Sequence, residues 1–306
     1  MAASGVIGID WGSSEFRAYR FAADGSVADA RTSIHGTKSI PEGGDRDAAF
    51  EAALVAELGD WLADGPDVVL SGMVCSRNGW IETPYVHVPA REDDLSRGVV
   101  RRDLGATRLH FLPGVAMSRP VADVMRGEEV EVFGANLGPR PTLVVLPGTH
   151  SKWAHVSDGR IESFATIVTG ELFDLLRHKS LIGGLADGDE FNELVFLSGV
   201  DEALDDVAES GGLVRRLFGA RAGVLVGGRP AVDVSSYLSG LLIGNEIHEA
   251  DRMFGAVDRA VIVGPPHATE RYDLALKRAG IITSIAAPEA AARGLFRIAS
   301  RIAPTR

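Results

Sequence analysis

Two short stretches of this chain carry the residue types that hold phosphate. Asp10-Trp11-Gly12-Ser13-Ser14 follows an apolar run from Val6 to Ile9, and Gly148-Thr149-His150-Ser151-Lys152 follows another from Leu143 to Leu146. Backbone N–H groups in tight turns point outward and form concavities that suit anions. Glycine lets the chain approach closely, and Ser or Thr hydroxyls add donors. An acidic residue at the first turn can hold Mg²⁺, often through water. Asp10 is therefore the expected metal residue. Gly12, Ser13, Ser14, Gly148, Thr149 and Ser151 are the expected phosphate donors, and Lys152 adds a cation at the second turn.

Other phosphate-binding frameworks are missing. There is no GxxxxGK[ST], which excludes a P-loop. No two glycines are separated by one residue, which removes GxGxxG and with it the dinucleotide fingerprint and the protein-kinase glycine loop. The same gap removes the GxGD pattern of ribokinase-like sugar kinases. The net charge of −11 and the isolated pairs Arg101-Arg102 and Arg215-Arg216 argue against a nucleic-acid partner. Cys75 is the one cysteine, so no intrachain disulfide can form, and it is expected to be a small buried residue.

The elements that must position these turns alternate between strand and helix. Phe16 to Phe21 reads as a strand, Asp24-Gly25 as a hairpin turn and Val27 onward as a third strand. The second apolar run repeats this order, with Lys152 to Val156, Asp158-Gly159 and Ile161 to Ile167. Gly148 lies 136 residues after Gly12 and Asp158 lies 134 after Asp24, which points to an internal duplication. Phe50, Ala53, Leu54, Leu58, Trp61 and Leu62 fall on one face of a helix over 47–62, ended by Gly65-Pro66. Strands are expected at 68–70, 108–112, 260–263 and 281–285. Helices are expected at 121–137 (ended by Gly138-Pro139), 235–252, 269–278 and 288–301. Residues 187–228 read as helices without evident chemistry. This alternation is the α/β class. With 306 residues, two domains are expected. No basic segment followed by an apolar stretch opens the chain and no apolar run could span a bilayer, so a cytoplasmic protein with no membrane partner is expected.

The segment IGIDWGSSEFRAYRF resembles the first phosphate motif of the actin, heat-shock ATPase and sugar-kinase superfamily, and LVVLPGTHSKW resembles the second. AVIVGPP resembles its adenosine turn, SYLSGLLIGNEI the helix connected to that turn, and RGEEVEVFGA the interdomain crossover. A finer resemblance is to the 2-dehydro-3-deoxygalactonokinase family, carried by SGMVCSRNGWIETPY, RGEE, PGTHSKW and TGELF.

The resemblance implies a two-lobed actin-like ATPase fold, a duplicated ribonuclease H-like arrangement with the nucleotide in the interlobe cleft. It implies ATP and Mg²⁺ as cofactors, and phosphorylation of 2-dehydro-3-deoxy-D-galactonate at its 6-hydroxyl in galactose or galactonate breakdown. The lobes would be 1–118 and 141–287, with a helical crossover at 119–140 and a C-terminal helix at 288–306 packing back on the first lobe. Gly264 and Gly240 would belong to the adenosine site. A substrate carboxylate calls for an arginine clamp. Arg77 and Asn78, just past the strand at 68–70, fit that place, with Tyr85 nearby. Asp123 is the expected base and Glu128 the second choice, while Glu129 is a further candidate metal residue. The partner would be a small sugar acid, and the reading admits a homo-oligomer. Another sugar or sugar acid on the same fold is the alternative, or a nucleotide-gated binding protein without catalysis.

Overall fold

The computed structural model describes residues 5–138, 140–205 and 211–302. It divides into two compact units. The first comprises Met1–Pro141, Val156–Phe164 and Ala287–Arg306, and the second Thr142–His155 and Ala165–Ala286.

The first unit is built on β1 (Ile7–Trp11), β2 (Phe16–Phe21), β3 (Val27–Ser33), β4 (Asp67–Ser71), β6 (Val100–Leu104) and β7 (Thr107–Phe111), after β5 (Tyr85–His87) is set aside. Their sheet order is β3-β2-β1-β4-β7-β6. β1, β4 and β7 run parallel, while β2, β3 and β6 run against their neighbours. Ile7, Ile9, Val68 and Leu70 pack with Phe50, Leu54 and Leu58 of α1 (Arg46–Leu58). Those three helical residues repeat every fourth position, which places them on one stripe. Asp45 caps α1 by accepting from the Ala48 amide, and Gly59 closes it at a φ of 51°. The opposite face of the sheet is covered by α9 (Ala290–Ala299). A Cβ on Gly8 would come within 2.9 Å of the Leu295 Cβ.

A small sheet, β5-β8-β9, stands beside this one, with β8 at Gly114–Met117 and β9 at Asp123–Met125. A short helix α2 (Glu92–Arg97) follows β5, and α3 (Glu128–Gly134) follows β9. The helix expected over 121–137 is therefore corrected. Asp123 to Met125 pair antiparallel with β8, and Gly127 takes a φ of 112°, which no helix accommodates. Only the residues after it are helical. Pro139, expected to end that helix, lies outside the described residues.

The second unit holds β10 (Thr142–Leu146), β11 (Ser151–Ser157), β12 (Arg160–Ile167, shared with the first unit by chain position), β13 (Arg259–Ile262) and β14 (Ile282–Ile285). Their order is β12-β11-β10-β13-β14. Third, second, first, then two later strands in parallel is also the order of the first sheet without its edge strand. The repeated hairpins of the sequence are thus the start of two ribonuclease H-like sheets. Helices α4 (Thr169–Lys179), α5 (Glu193–Leu204), α6 (Leu213–Val226), α7 (Val234–Phe254) and α8 (Pro266–Arg278) complete this unit. Residues 206–210, inside the stretch with no evident chemistry, lie outside the described residues. Among the described residues, no helix is long and apolar enough to cross a membrane.

Candidate active site

In the first unit the site residues gather at the C-terminal ends of β1 and β4. Asp10 lies beside Ser71 in the parallel register, and both strands end there in glycine turns. The first turn is held from behind. The Gly12 amide donates to Glu15 O at 2.9 Å, while the carbonyls of Gly12 and Ser13 accept from Thr37 and Lys38 at 2.9 and 3.1 Å. A Cβ on Gly36 would meet the Ser13 carbonyl at 2.3 Å, so the backbone at 36 must be bare to hold the turn. With the two carbonyls turned inward, the rim of the turn carries Ser13 and the exposed Ser14.

Asp10 is not alone. Arg17 Nη1 lies 3.7 Å from its Oδ2, and Arg17 also bonds Glu15. Burial raises the Asp10 carboxyl above its ordinary range. Arg17 opposes that shift, and the negative charges of Glu128 and Glu15 add to it. Burial, Asp10 and Glu128 push Glu131 up to about 8. Tyr19, buried in the same field, is pushed up to about 12. Asp10, Glu128 and Glu131 thus crowd acidic groups at the tip of β1, each resisting the ionisation of the others. A cation placed there would relieve that opposition. Among the described residues, no three His, Cys, Asp or Glu side chains stand where they could ligate a metal together. The fit is to Mg²⁺ held by one or two carboxylates, its waters and a substrate phosphate.

Glu129 does other work. It is fully buried, and both its oxygens accept from the Gly127 amide at 3.0 and 2.8 Å. Burial and the neighbouring Glu128 push it up to about 8. The metal role expected for it is corrected: its carboxyl faces the interior and fixes the turn at Gly127. That turn lies against the other two, since a Cβ on Gly127 would sit 3.3 Å from the Gly72 Cα and 4.0 Å from Asp10 Oδ1.

The expected substrate residues divide. Arg77 and Asn78 are both exposed on the loop after β4. The Asn78 carbonyl accepts from Arg46. Trp80 packs, stacked on Phe50 with centroids 5.8 Å apart and its Nε1 donating to Asp47 at 2.6 Å. Tyr85 is 39% exposed and lies under the Arg126 guanidinium, 4.3 Å from ring centroid to Cζ. Arg126 was not singled out by sequence reasoning, although it begins the RGEE motif. Its Nη1 donates to Thr83 Oγ1 and its Nη2 to Thr83 O at 3.1 Å. Asp123 sits on β9 with Oδ1 accepting from the Val124 amide at 2.7 Å, and Glu128 Oε2 accepts from the Arg126 amide at 2.9 Å. Cys75 is buried, and burial pushes its thiol up, as suits a packing residue.

In the second unit Gly148, Thr149 and His150 are exposed at the end of β10. The start of α4 supports them. The Glu171 amide donates to Thr149 O at 2.9 Å, the His150 ring pairs with Glu171 at 2.6 Å, and a Cβ on Gly170 would collide with Gly148 O at 2.4 Å. Gly264, at a φ of 151°, ends β13 beside the same turn, 3.7 Å from the Pro147 Cδ to an added Cβ.

One expectation at this turn is corrected. Ser151 is fully buried and its hydroxyl is shared with Tyr272 at 2.7 Å, so the side chain serves the interior. Tyr272 in turn donates to Glu246 at 2.7 Å, and Trp153 Nε1 donates to the same carboxyl at 2.6 Å. Burial raises Glu246, while hydrogen bonds from Thr169, Tyr272, Trp153 and Ser151 hold it down. This buried network ties β11, α4, α7 and α8 together behind the turn, and no local sequence pattern announces it. Lys152 is nearly buried, with Nζ 3.4 Å from His150 O. Gly240 is also corrected. An added Cβ would lie 1.9 Å from the Phe196 carbonyl oxygen, so this glycine lets α7 cross α5 and cannot face a nucleotide.

Residues 10–298 match the family model described as 2-keto-3-deoxy-galactonokinase. A Rhizobium meliloti relative named "Probable 2-dehydro-3-deoxygalactonokinase DgoK1" is 36% identical, with 97% of each chain aligned. The Escherichia coli 2-dehydro-3-deoxygalactonokinase is 33% identical over 97% of this chain and 98% of its own. A crystal structure from Sinorhizobium meliloti, described as a candidate enzyme of that name, superposes with a TM-score of 0.89 at 33% identity, covering 98% of this chain and 100% of that one. The chain belongs to the 2-keto-3-deoxy-galactonokinase family.

Proposed function

We propose that this protein transfers the γ-phosphoryl group of ATP to the 6-hydroxyl of 2-dehydro-3-deoxy-D-galactonate. The observation that carries the reading is the pairing of a rigid glycine-serine turn with the Asp10, Glu128 and Glu131 carboxylates at one strand end, in a chain of this family. Phosphoryl transfer asks mainly for positioning and charge neutralisation. The turn at Gly12, Ser13 and Ser14 and the turn at Gly148 and Thr149 supply backbone and hydroxyl donors for the phosphates. Gly264, beside the second turn, belongs to the adenosine side. Mg²⁺, when bound, neutralises phosphate charge, and Asp10 is the residue that would hold it, directly or through water.

The bond from O6 to Pγ forms as the bond from Pγ to the β-phosphate oxygen breaks, and its electron pair leaves with ADP. The hydroxyl proton passes to a carboxylate. Asp123 is the proposed base. Glu128 is the second reading, favoured by one observation: its charge acts directly on Asp10. Asp123→Asn and Glu128→Gln separate them, because loss of the base lowers kcat by about 10²- to 10⁴-fold and leaves ATP binding intact.

The test is a coupled ADP-release assay with Mg-ATP on 2-dehydro-3-deoxygalactonate, its gluconate epimer and neutral hexoses. Turnover confined to the keto-deoxy acids is expected. Turnover on neutral sugars alone would move the substrate to another sugar. ATP binding with no turnover on any of them would move the protein to a nucleotide-gated binding role.

A further inference from the structure

We propose that Arg126, with Tyr85 beneath it and Thr83 behind it, is the residue that reads the carboxylate of the sugar acid. The inference rests on the sugar-acid reading above and deepens it. Arg126 is a half-buried cation that forms no ion pair among the described residues. Its Nε is buried and donates to nothing among them. Among the described residues no ion pair joins it to Glu129, although its charge acts on that carboxyl. Glu128 spends Oε2 on the Arg126 amide, and Glu129 holds the Gly127 amide with both oxygens. A desolvated cation without a counter-ion is costly unless an anion arrives to pair with it.

The guanidinium is also held in place before any ligand binds. Thr83 takes one bond at its hydroxyl and one at its carbonyl, and the ring of Tyr85 supports the guanidinium plane at 4.3 Å. Thr83 is itself fixed, since its hydroxyl reaches Cys75 O at 3.1 Å and Leu112 O at 2.9 Å. Thr83 takes one hydrogen from each Nη, and each Nη keeps a second hydrogen for an anion. A carboxylate, with two acceptor oxygens, suits a guanidinium so held. The position is right as well. Arg126 immediately precedes Gly127, whose backbone lies against Gly72 and Asp10. The other arginines of this neighbourhood are committed or remote: Arg17 to Asp10 and Glu15, Arg102 to Asp47, and Arg46 to the backbone of Asn78. Arg77 projects from the loop with its side chain exposed.

The test compares wild type, Arg126→Ala, Arg126→Lys and Arg77→Ala on two substrates. One is 2-dehydro-3-deoxygalactonate, and the other is its analogue with the C1 carboxylate reduced to a hydroxymethyl group. Arg126→Ala is expected to raise KM for the acid about 10- to 100-fold, the worth of one charged hydrogen-bonded contact. KM for ATP and turnover of the reduced analogue should stay within about twofold of wild type. Arg126→Lys should recover part of the loss, because it restores the charge without the fixed planar guanidinium. A merely structural role would weaken both substrates and ATP together, and that result overturns the proposal. Selective loss in Arg77→Ala, or a wild type that prefers the acid by less than about threefold, overturns it too. If wild type turns over neither compound, the functional reading has failed. Calorimetric titration of the acid into wild type and Arg126→Lys then decides this proposal by itself, and equal binding, or none to wild type, overturns it.

Discussion

Glu129 has no contact with solvent, yet it shapes the turn beside Asp10. Its carboxyl, pushed up to about 8, keeps a proton in the folded chain while the unfolded chain ionises near the ordinary value of 4.5. Between those two values the folded state binds more protons than the unfolded state, so stability falls as pH rises. Glu129→Gln, neutral at every pH and still able to accept from the Gly127 amide, should remove that part of the slope. Melting temperatures at pH 5 and pH 8 check this: the variant should match wild type near pH 5 and exceed it near pH 8. Parallel profiles would mean that Glu129 is ionised in the fold. Spacing alone presents Asp123, Glu128 and Glu129 as equals. Their burial separates them, and burial depends on α9 packing over α3, more than 150 residues away in sequence.

At the scale of elements, two helices meet through their glycines. α5 and α7 cross where Gly199 faces the Tyr237 carbonyl, Gly240 faces the Phe196 carbonyl, and Gly244 faces Val200 and Ala203. A side chain at any of these points would meet backbone, which cannot rotate away. Gly240→Ala should therefore destabilise the second unit by about 1–3 kcal/mol or more, the cost of overpacking a tight contact. Urea unfolding read by circular dichroism checks it, and an unchanged midpoint would show that the crossing can widen freely. The four-residue spacing of Gly240 and Gly244 is visible in the sequence, and so is the periodicity of α1, α7 and α8. The helix expected over 121–137 illustrates the limit. Val121 to Met125 carry residues that either a helix or a short strand accepts, and pairing with β8 decided for the strand. The short strands β5, β6, β8 and β9 lack a periodic run long enough to announce themselves.

The whole molecule is assembled from segments that leave one unit and return to it. α9 belongs to the first unit although the second lies between them in the chain. It contributes Leu295 against Gly8, Phe296 against Phe21 at 5.3 Å, and Arg297 to the nearly buried Glu92 at 2.7 Å. Gly134 and Gly294 let α3 and α9 touch backbone to backbone. A chain ending at residue 286 should therefore lose the cooperative folding of the first unit. Soluble yield and a urea melt test this, and a truncated chain that unfolds at the wild-type midpoint would refute it. Ligand linkage belongs to the same scale. Mg-ATP at about 100 times its Kd should add about 2.7 kcal/mol to stability, read as a rise in melting temperature that Asp10→Asn diminishes.

The sequence by itself determined the α/β class, the two hairpin repeats and the turns at Gly12 and Gly148, because each rests on local period and turn chemistry. It also carried the family resemblance, because the motifs are contiguous. Only the tertiary structure decided which way the side chains of those motifs face. Ser151 and Glu129 turned inward, Gly240 became a packing contact, and Arg126 emerged as a cation with no ion pair among the described residues. Burial and ion pairing are made by residues far apart in the chain, and no spacing within one motif contains them.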